Sequence, residues 1–554
     1  MKKIHLYILV CMFMLTWTAC RKADTIERNP SNVLNDIYAT IEGLGTQRLF
    51  EARTSNDTLY FDIPYYYPEN SDEESDLSKI ILRATIPADS KISPAIGVPM
   101  DLTSPRIITI TSGTGETSEY VVVGRKVGNV EVQSAKIEYS DENGAVQEID
   151  AIVRDSEILF YVLPDIDLSN AVLTYTINRH SQGSITNGSN IDLSNPLLLT
   201  IEGAGDIKKV FTLKATEPIK LEYGFGINRK LWTKQGDELS FTNNNETGLA
   251  VSGNHLVITT RTNPSEFRIY DRFTGEYVDK MKNPLPAGMF AMQTVGDQHD
   301  NLMLTSWAPK GAKFVIYRYE SALDQNPVKM LEWVNNNSGN VAADGGVGRR
   351  VNVYGDLKGK AIIMAHAGQS DLFYKWYVND GVIENSVPEI VTYLSRTAST
   401  SLGYYPEAQP ISTDKDANFF LVYQSDVALV NGITGAKISS FSPINGAVFN
   451  SSAAYAPFNN ASYFAYIQFN WSYDLNRTRI VMYDVTNPSK IGMATSDPGF
   501  SSFNVYKSTE LNGTKNGGTS DIAIGFSPDG DRMQIYMLLT NGGILAHEFT
   551  KYAP

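Results

Sequence analysis

Cysteine is almost absent: of 554 residues only Cys11 and Cys20 carry a thiol, and none follows. A chain built this way has no disulfide framework and no thiolate metal site. Histidine is scarce as well, with six residues that show no HExxH or related spacing. Neither a GxSxG elbow nor a Walker loop occurs, so the sequence offers no metal site and no cofactor site. Beyond the N-terminus no apolar run reaches the roughly 20 residues of a membrane helix. Positive charge is in deficit, 47 Lys and Arg against 61 Asp and Glu, for a net charge of −14. Such a surface repels phosphate backbones and no basic run offsets it, which argues against a nucleic-acid partner.

What is present starts with a short basic head, Met1-Lys2-Lys3, an apolar stretch from Ile4 to Thr16, and small residues before Cys20. This pattern predicts a signal peptide over 1–19. The small residue next to the cysteine is that of a bacterial lipobox, which makes Cys20 the expected lipidation site. Several acyl chains give stable anchoring where one would be reversible. The membrane is then a partner through the lipid anchor, and 20–32 reads as a lipidated linker. About 535 residues remain, too many for one core.

Self-comparison exposes a repeat. "DLSKIILRATI" at 76–86 returns as "DLSNAVLTYTI" at 167–177, and "DLTSPRIITI" at 101–110 returns as "DLSNPLLLTI" at 192–201, both offset by 91 residues. "LYFDIP" and "LFYVLP" are offset by 100, so the first copy carries nine extra residues within "YYYPENSDEES". Apolar residues alternate at period two and glycines mark hairpin turns. Two immunoglobulin-like β-sandwiches are expected, at 33–127 and 128–217.

From 218 to 554 the pattern changes to units of four strands. "GLAVSGNHLVITTR" and "FRIYDRFTGEYV" make the first, and similar units recur about every 45 to 65 residues. The expectation is all-β throughout, ending in a β-propeller of six blades, or seven if 223–232 opens one rather than closing the ring beside the final strands. Its longer loops should hold ligand. They carry Trp307 and Lys310, His366 and Gln369, Gln424, and Trp471, Asp474 and Arg477. Indole faces stack on the C–H faces of pyranose rings while amides and charged groups bind hydroxyls, so these residues point to carbohydrate. Trp333 and Trp376 sit on strands and read as fillers between sheets. Tyr65 and Tyr66, beside the inserted acidic residues, offer a second aromatic patch, or the end of a strand. A glycosidase needs paired carboxylates, which separate blades can supply; Asp371 and Asp474 are the acids to test first.

Taken together, Cys20, the twin "DLS…TI…DL(T/S)xP" pattern and the glycine hairpins make the chain resemble uncharacterised Bacteroidota surface lipoproteins encoded near SusC/SusD-type glycan-uptake systems. The resemblance implies an outer-membrane lipoprotein that is not an enzyme, captures polysaccharide or oligosaccharide, and passes it to such a transporter. In that group an acidic tract after the cysteine directs export to the outer face. Here Asp24 and Glu27 follow, leaving the outer and periplasmic faces both open. A polysaccharide-active propeller enzyme and a protein-binding adhesion lipoprotein are the alternatives.

Overall fold

The computed structural model describes residues 27–554 apart from 46–47, 70, 142–143, 145, 165, 243, 337–345, 396–401, 444–448, 470–477 and 512–519. Regular structure among the described residues is β-strand with four short 3-10 turns, and no helix is long and apolar enough to cross a membrane. The chain divides into two compact units. One comprises Met1–Tyr139, Glu148–Phe160 and Asp167–Ala215; the other comprises Ser140–Gln147, Tyr161–Ile166 and Thr216–Pro554.

In the first unit the sequence repeat is a structural repeat. Strands Ile80–Thr85, Arg106–Thr111 and Thr117–Val127 recur as Ala171–Ile177, Leu197–Glu202 and Lys208–Thr216. The repeated Asp-Leu-Ser/Thr triplets explain why. Each aspartate accepts the backbone N–H two residues on, in Asp76–Ser78, Asp101–Thr103, Asp167–Ser169 and Asp192–Ser194, at 2.9–3.0 Å. That side-chain turn ends one strand direction and starts another. The leucines then tie the two turns of each copy together, Leu102 N–H to Leu77 O at 2.8 Å and Leu193 N–H to Leu168 O at 3.0 Å. Leu102 and Leu193 are buried.

The two copies differ in how their sheets join. The second has separate sheets of four and five strands. The first is a continuous eight-stranded sheet where two sheets are expected, because strand Phe50–Ser55 pairs with Asp36–Ile41 on one edge and with Thr58–Pro64 on the other. The nine inserted residues have a structural use. Asp72 pairs with Arg179 and lies 3.3 Å from His180, whose Nε2 meets Ser71 O at 2.8 Å. Tyr66 stacks on the His180 ring at 3.8 Å, and Tyr65 packs beside Tyr66 and Lys126. The insertion links one repeat to the next: one face of the Tyr66 ring lies on His180, and Tyr65 and Tyr66 both remain partly exposed.

Among the described residues the second unit contains a two-stranded pair, Ile219–Lys220 with Tyr552–Ala553, and six four-stranded antiparallel sheets, the third carrying an additional strand, Glu389–Thr392. Their first strands are β1 (Glu246–Ser252), β2 (Ala291–Gly296), β3 (Val347–Gly355), β4 (Glu407–Pro410), β5 (Phe449–Phe458) and β6 (Ser520–Phe526). Each neighbours the next, and β6 neighbours β1, so the six close a cycle. The last sheet takes its outer strand from the start of the unit: Asn228–Gln235 pairs with Gly543–Thr550, with Trp232 opposite Ala546. Trp376 is buried and Trp333 partly so, and both pack in one core cluster between neighbouring sheets, 5.8 Å apart.

Candidate functional site

The sites of interest lie at the two ends of β1–β6. Start at the beginning of β3, where "GVGRR" (346–350) interrupts the ladder: the register with Ala361–Ala367 slips between Val347 and Val351. Bulges of this kind re-aim side chains. Gly348 has φ +96°, and a Cβ there would stand 2.2 Å from Ser306 O; at Gly346 a Cβ would stand 2.4 Å from Trp307 Nε1. Only glycines let this segment lie against Trp307. The slip leaves two adjacent arginines beside the same ring, with both guanidinium carbons within 5.8 Å of the Tyr405 centroid.

Arg350 turns inward and is fully buried. It meets Asp521 of β6 at 3.2 Å and Glu407 of β4 at 3.6 Å, and donates to Ser520 O. Asn352 donates to Glu407 at 2.8 Å; Gln293 of β2 and the Leu249 N–H donate to Asp521 at 3.1 and 2.8 Å. Two carboxylates thus share one guanidinium. Burial raises both acids above their ordinary range, against the pull of Arg350. This network fills the middle of the cycle of first strands.

Arg349 turns outward. Its guanidinium carbon lies 5.4 Å from the Trp307 ring, 5.0 Å from Tyr404 and 5.7 Å from Tyr405. Phe290 packs on Trp307 at 5.2 Å. All five side chains are half-buried. The patch is amphipathic: flat ring faces with a cation among them.

The sequence-derived site residues divide clearly. Trp307 is in the patch. Gln369 is beside it, its N–H donating to Gly403 O next to Tyr404 at 2.8 Å. Lys310 is exposed in the turn just after Trp307. Gln424 is exposed on the rim of a separate hollow of about 300 Å³ lined by Asp426, Phe441, Phe449, Asn450 and Gln468. His366 is corrected to a core residue. It belongs to a strand, Ala361–Ala367, in which every side chain is buried; its Nε2–H donates to Ser370 O at 3.0 Å, and burial pushes its pKa down to about 4. Cys20, Trp471, Asp474 and Arg477 lie outside the described residues.

At the opposite ends of the first strands is a cavity of about 300 Å³ that no sequence-derived site residue lines. Tyr354 and Tyr455, 5.8 Å apart, face it together with Asn254, Asn352 and Gln409. Asp297 on its wall is held by a turn, accepting from the N–H groups of His299, Asn301 and Leu357. The tight hairpins Ser252–Asn254 and Ser527–Asp531 read as plain turns in the sequence, yet Gly253, Asn254, Ser527 and Pro528 form part of the rim. The axial acids are equally hard to see in the sequence. Asp521 opens a stretch that reads as an ordinary strand, and the one signal that points to the pair is an Arg-Arg pair just after Gly348.

Residues 236–546 match the family described as Domain of unknown function (DUF8500). The chain belongs to the DUF8500 family. The DUF8500 match spans all six first strands and most of the closing sheet. A second match, to the Domain of unknown function (DUF5018), covers residues 15–124, which includes the first repeat. No curated protein matches. Among solved structures the chain is similar to a DUF4623 family protein from Bacteroides eggerthii DSM 20697, at 15% identity over 76% of this chain and 98% of that one, with a TM-score of 0.47.

Proposed function

We propose that this protein is a lipid-anchored outer-membrane glycan-binding protein, with two immunoglobulin-like repeats followed by a six-bladed β-propeller. The propeller reading is supported by the closed cycle of six first strands and by the outer strand that the start of the unit lends to its last sheet. The binding reading is carried by one observation: Trp307, Tyr404 and Tyr405 present half-buried ring faces around Arg349 at one end of those strands. A sugar ring needs both an apolar face to stack on and polar groups for its hydroxyls, and this patch supplies both. The hollow beside Gln424 adds polar and aromatic walls at the same end of the strands. Delivery to a SusC/SusD-type transporter is part of the proposal through the sequence resemblance.

Affinity electrophoresis against a polysaccharide panel tests it. Retardation by at least one glycan without release of reducing sugar is expected, and Trp307→Ala should weaken it about tenfold or more, as loss of a central indole does, while the circular dichroism spectrum stays unchanged. Reducing-sugar release would favour the enzyme reading, with Asp371 and Asp474 the first acids to replace. Inertness towards every glycan would favour a protein partner.

A further inference from the structure

The chemistry of the same patch specifies which glycans it should prefer, an inference that rests on the binding reading above. Arg349 differs from several arginines of this unit that are matched by acids, although the buried Arg272, which donates to Phe526 O, likewise has no carboxylate partner among the described residues. Arg229 pairs with Glu548 at 2.9 Å, Arg268 pairs with Glu246, and Arg350 has Asp521 and Glu407. Among the described residues no carboxylate pairs with Arg349, and its Nε has no hydrogen-bond partner. Three aromatic rings hold its guanidinium from the sides, at 5.0–5.7 Å. Ring contacts of this sort hold a guanidinium without neutralising it; the Nε is itself buried, so the terminal N–H groups are the edge left to a ligand.

A cation placed so deliberately, with a glycine bulge to deliver it, suits a ligand that brings its own anion. The guanidinium fork matches a carboxylate in a bidentate pair, a charge-assisted contact stronger than any bond to a neutral hydroxyl. Trp307 beside it supplies the platform for the ring that carries the carboxylate. The protein's net charge of −14 provides no general attraction for a polyanion, so selectivity for an acidic glycan has to arise locally. We infer that the Trp307–Arg349–Tyr404–Tyr405 patch recognises uronic-acid-containing glycans, with the uronate carboxylate on Arg349 and the sugar face on the indole.

Polygalacturonate and its fully methyl-esterified form make the test, since they share a backbone and differ in charge. The wild-type protein should bind the acidic polymer at least about tenfold more tightly than the ester, the scale of one charge-assisted contact. In Arg349→Met that ratio should fall to near one, and in Arg349→Lys, which keeps the charge but loses the fork, it should be intermediate. Equal wild-type affinities overturn the inference, as does a ratio that Arg349→Met leaves intact; neither outcome touches glycan binding itself. If both galacturonate polymers are ignored while a neutral glycan in the panel is bound, uronate recognition fails and the broader reading stands. If no glycan is bound, both fail. Because equal wild-type affinities overturn the inference without any variant, a variant that does not fold cannot rescue it.

Discussion

The residues with the most informative chemistry are the ones burial forces into unusual protonation. His366 and His547 are both held neutral, their pKa values pushed down to about 4 by desolvation. Between pH 6.5 and 4 the unfolded chain takes up protons that the folded chain refuses, so stability is full above pH 6.5 and declines as pH falls through that window. Each histidine should account for about 1–3 kcal/mol of the decline. Glu407 and Asp521 act with the opposite sign. Their raised values make the folded state the better proton binder, so their contribution is lost as pH rises through those values. Urea midpoints measured at about pH 4.5 and about pH 7.5, on either side of the unfolded histidine pKa, check the histidine part: His366→Gln should show a smaller difference between the two than the wild type, and an unchanged difference would contradict the assignment.

At the scale of strands and turns, what the sequence reveals is what is local. An aspartate capping the residue two positions on is written into the chain, so the Asp-Leu-Ser/Thr repeats are legible at Asp76, Asp101, Asp167 and Asp192 from the order of residues alone. The alternation of Leu82 and Ile86 with Arg83 and Thr85 is equally plain, and Leu82 is buried while Ile86 is partly so. The buried polar network is not plain, because the first strands carry Glu407, Asp521 and Arg350 where an ordinary sheet would carry valine. Their meaning depends on partners up to 272 residues away, such as Leu249 and Asp521. The partner of Tyr66 is hidden in the sequence for a related reason: His180, on which its ring stacks, comes from the next repeat. The repeat core allows a sharp comparison. Leu193 is 1% exposed and Leu198 66% exposed. Leu193→Ala should destabilise the first unit by about 2–5 kcal/mol, and Leu198→Ala should lie within about 0.5 kcal/mol of the wild type. Thermal unfolding of the two variants side by side provides the measurement.

For the molecule as a whole, the proposed location depends on Cys20. Cells expressing the full chain should incorporate radiolabelled palmitate into the protein and retain it in the membrane fraction. Cys20→Ser should abolish the label and shift the protein to the soluble fraction. Retention of label in that variant would remove the anchor from the account. Surface proteolysis of intact cells would then separate an outward-facing protein from one facing the periplasm.

The pairing of Asn228–Gln235 with Gly543–Thr550, extended by Ile219–Lys220 against Tyr552–Ala553, brings positions more than 300 residues apart into one hydrogen-bonded ladder. The order in which the six sheets follow one another along the polypeptide is therefore not what holds them in place. A gene rearranged so that a short linker joins 554 to 218, with new ends opened at the Pro309–Ala312 turn, should yield the same architecture. Such a permutant would put its termini next to Trp307, a convenient position for a reporter group that tests the proposed binding patch.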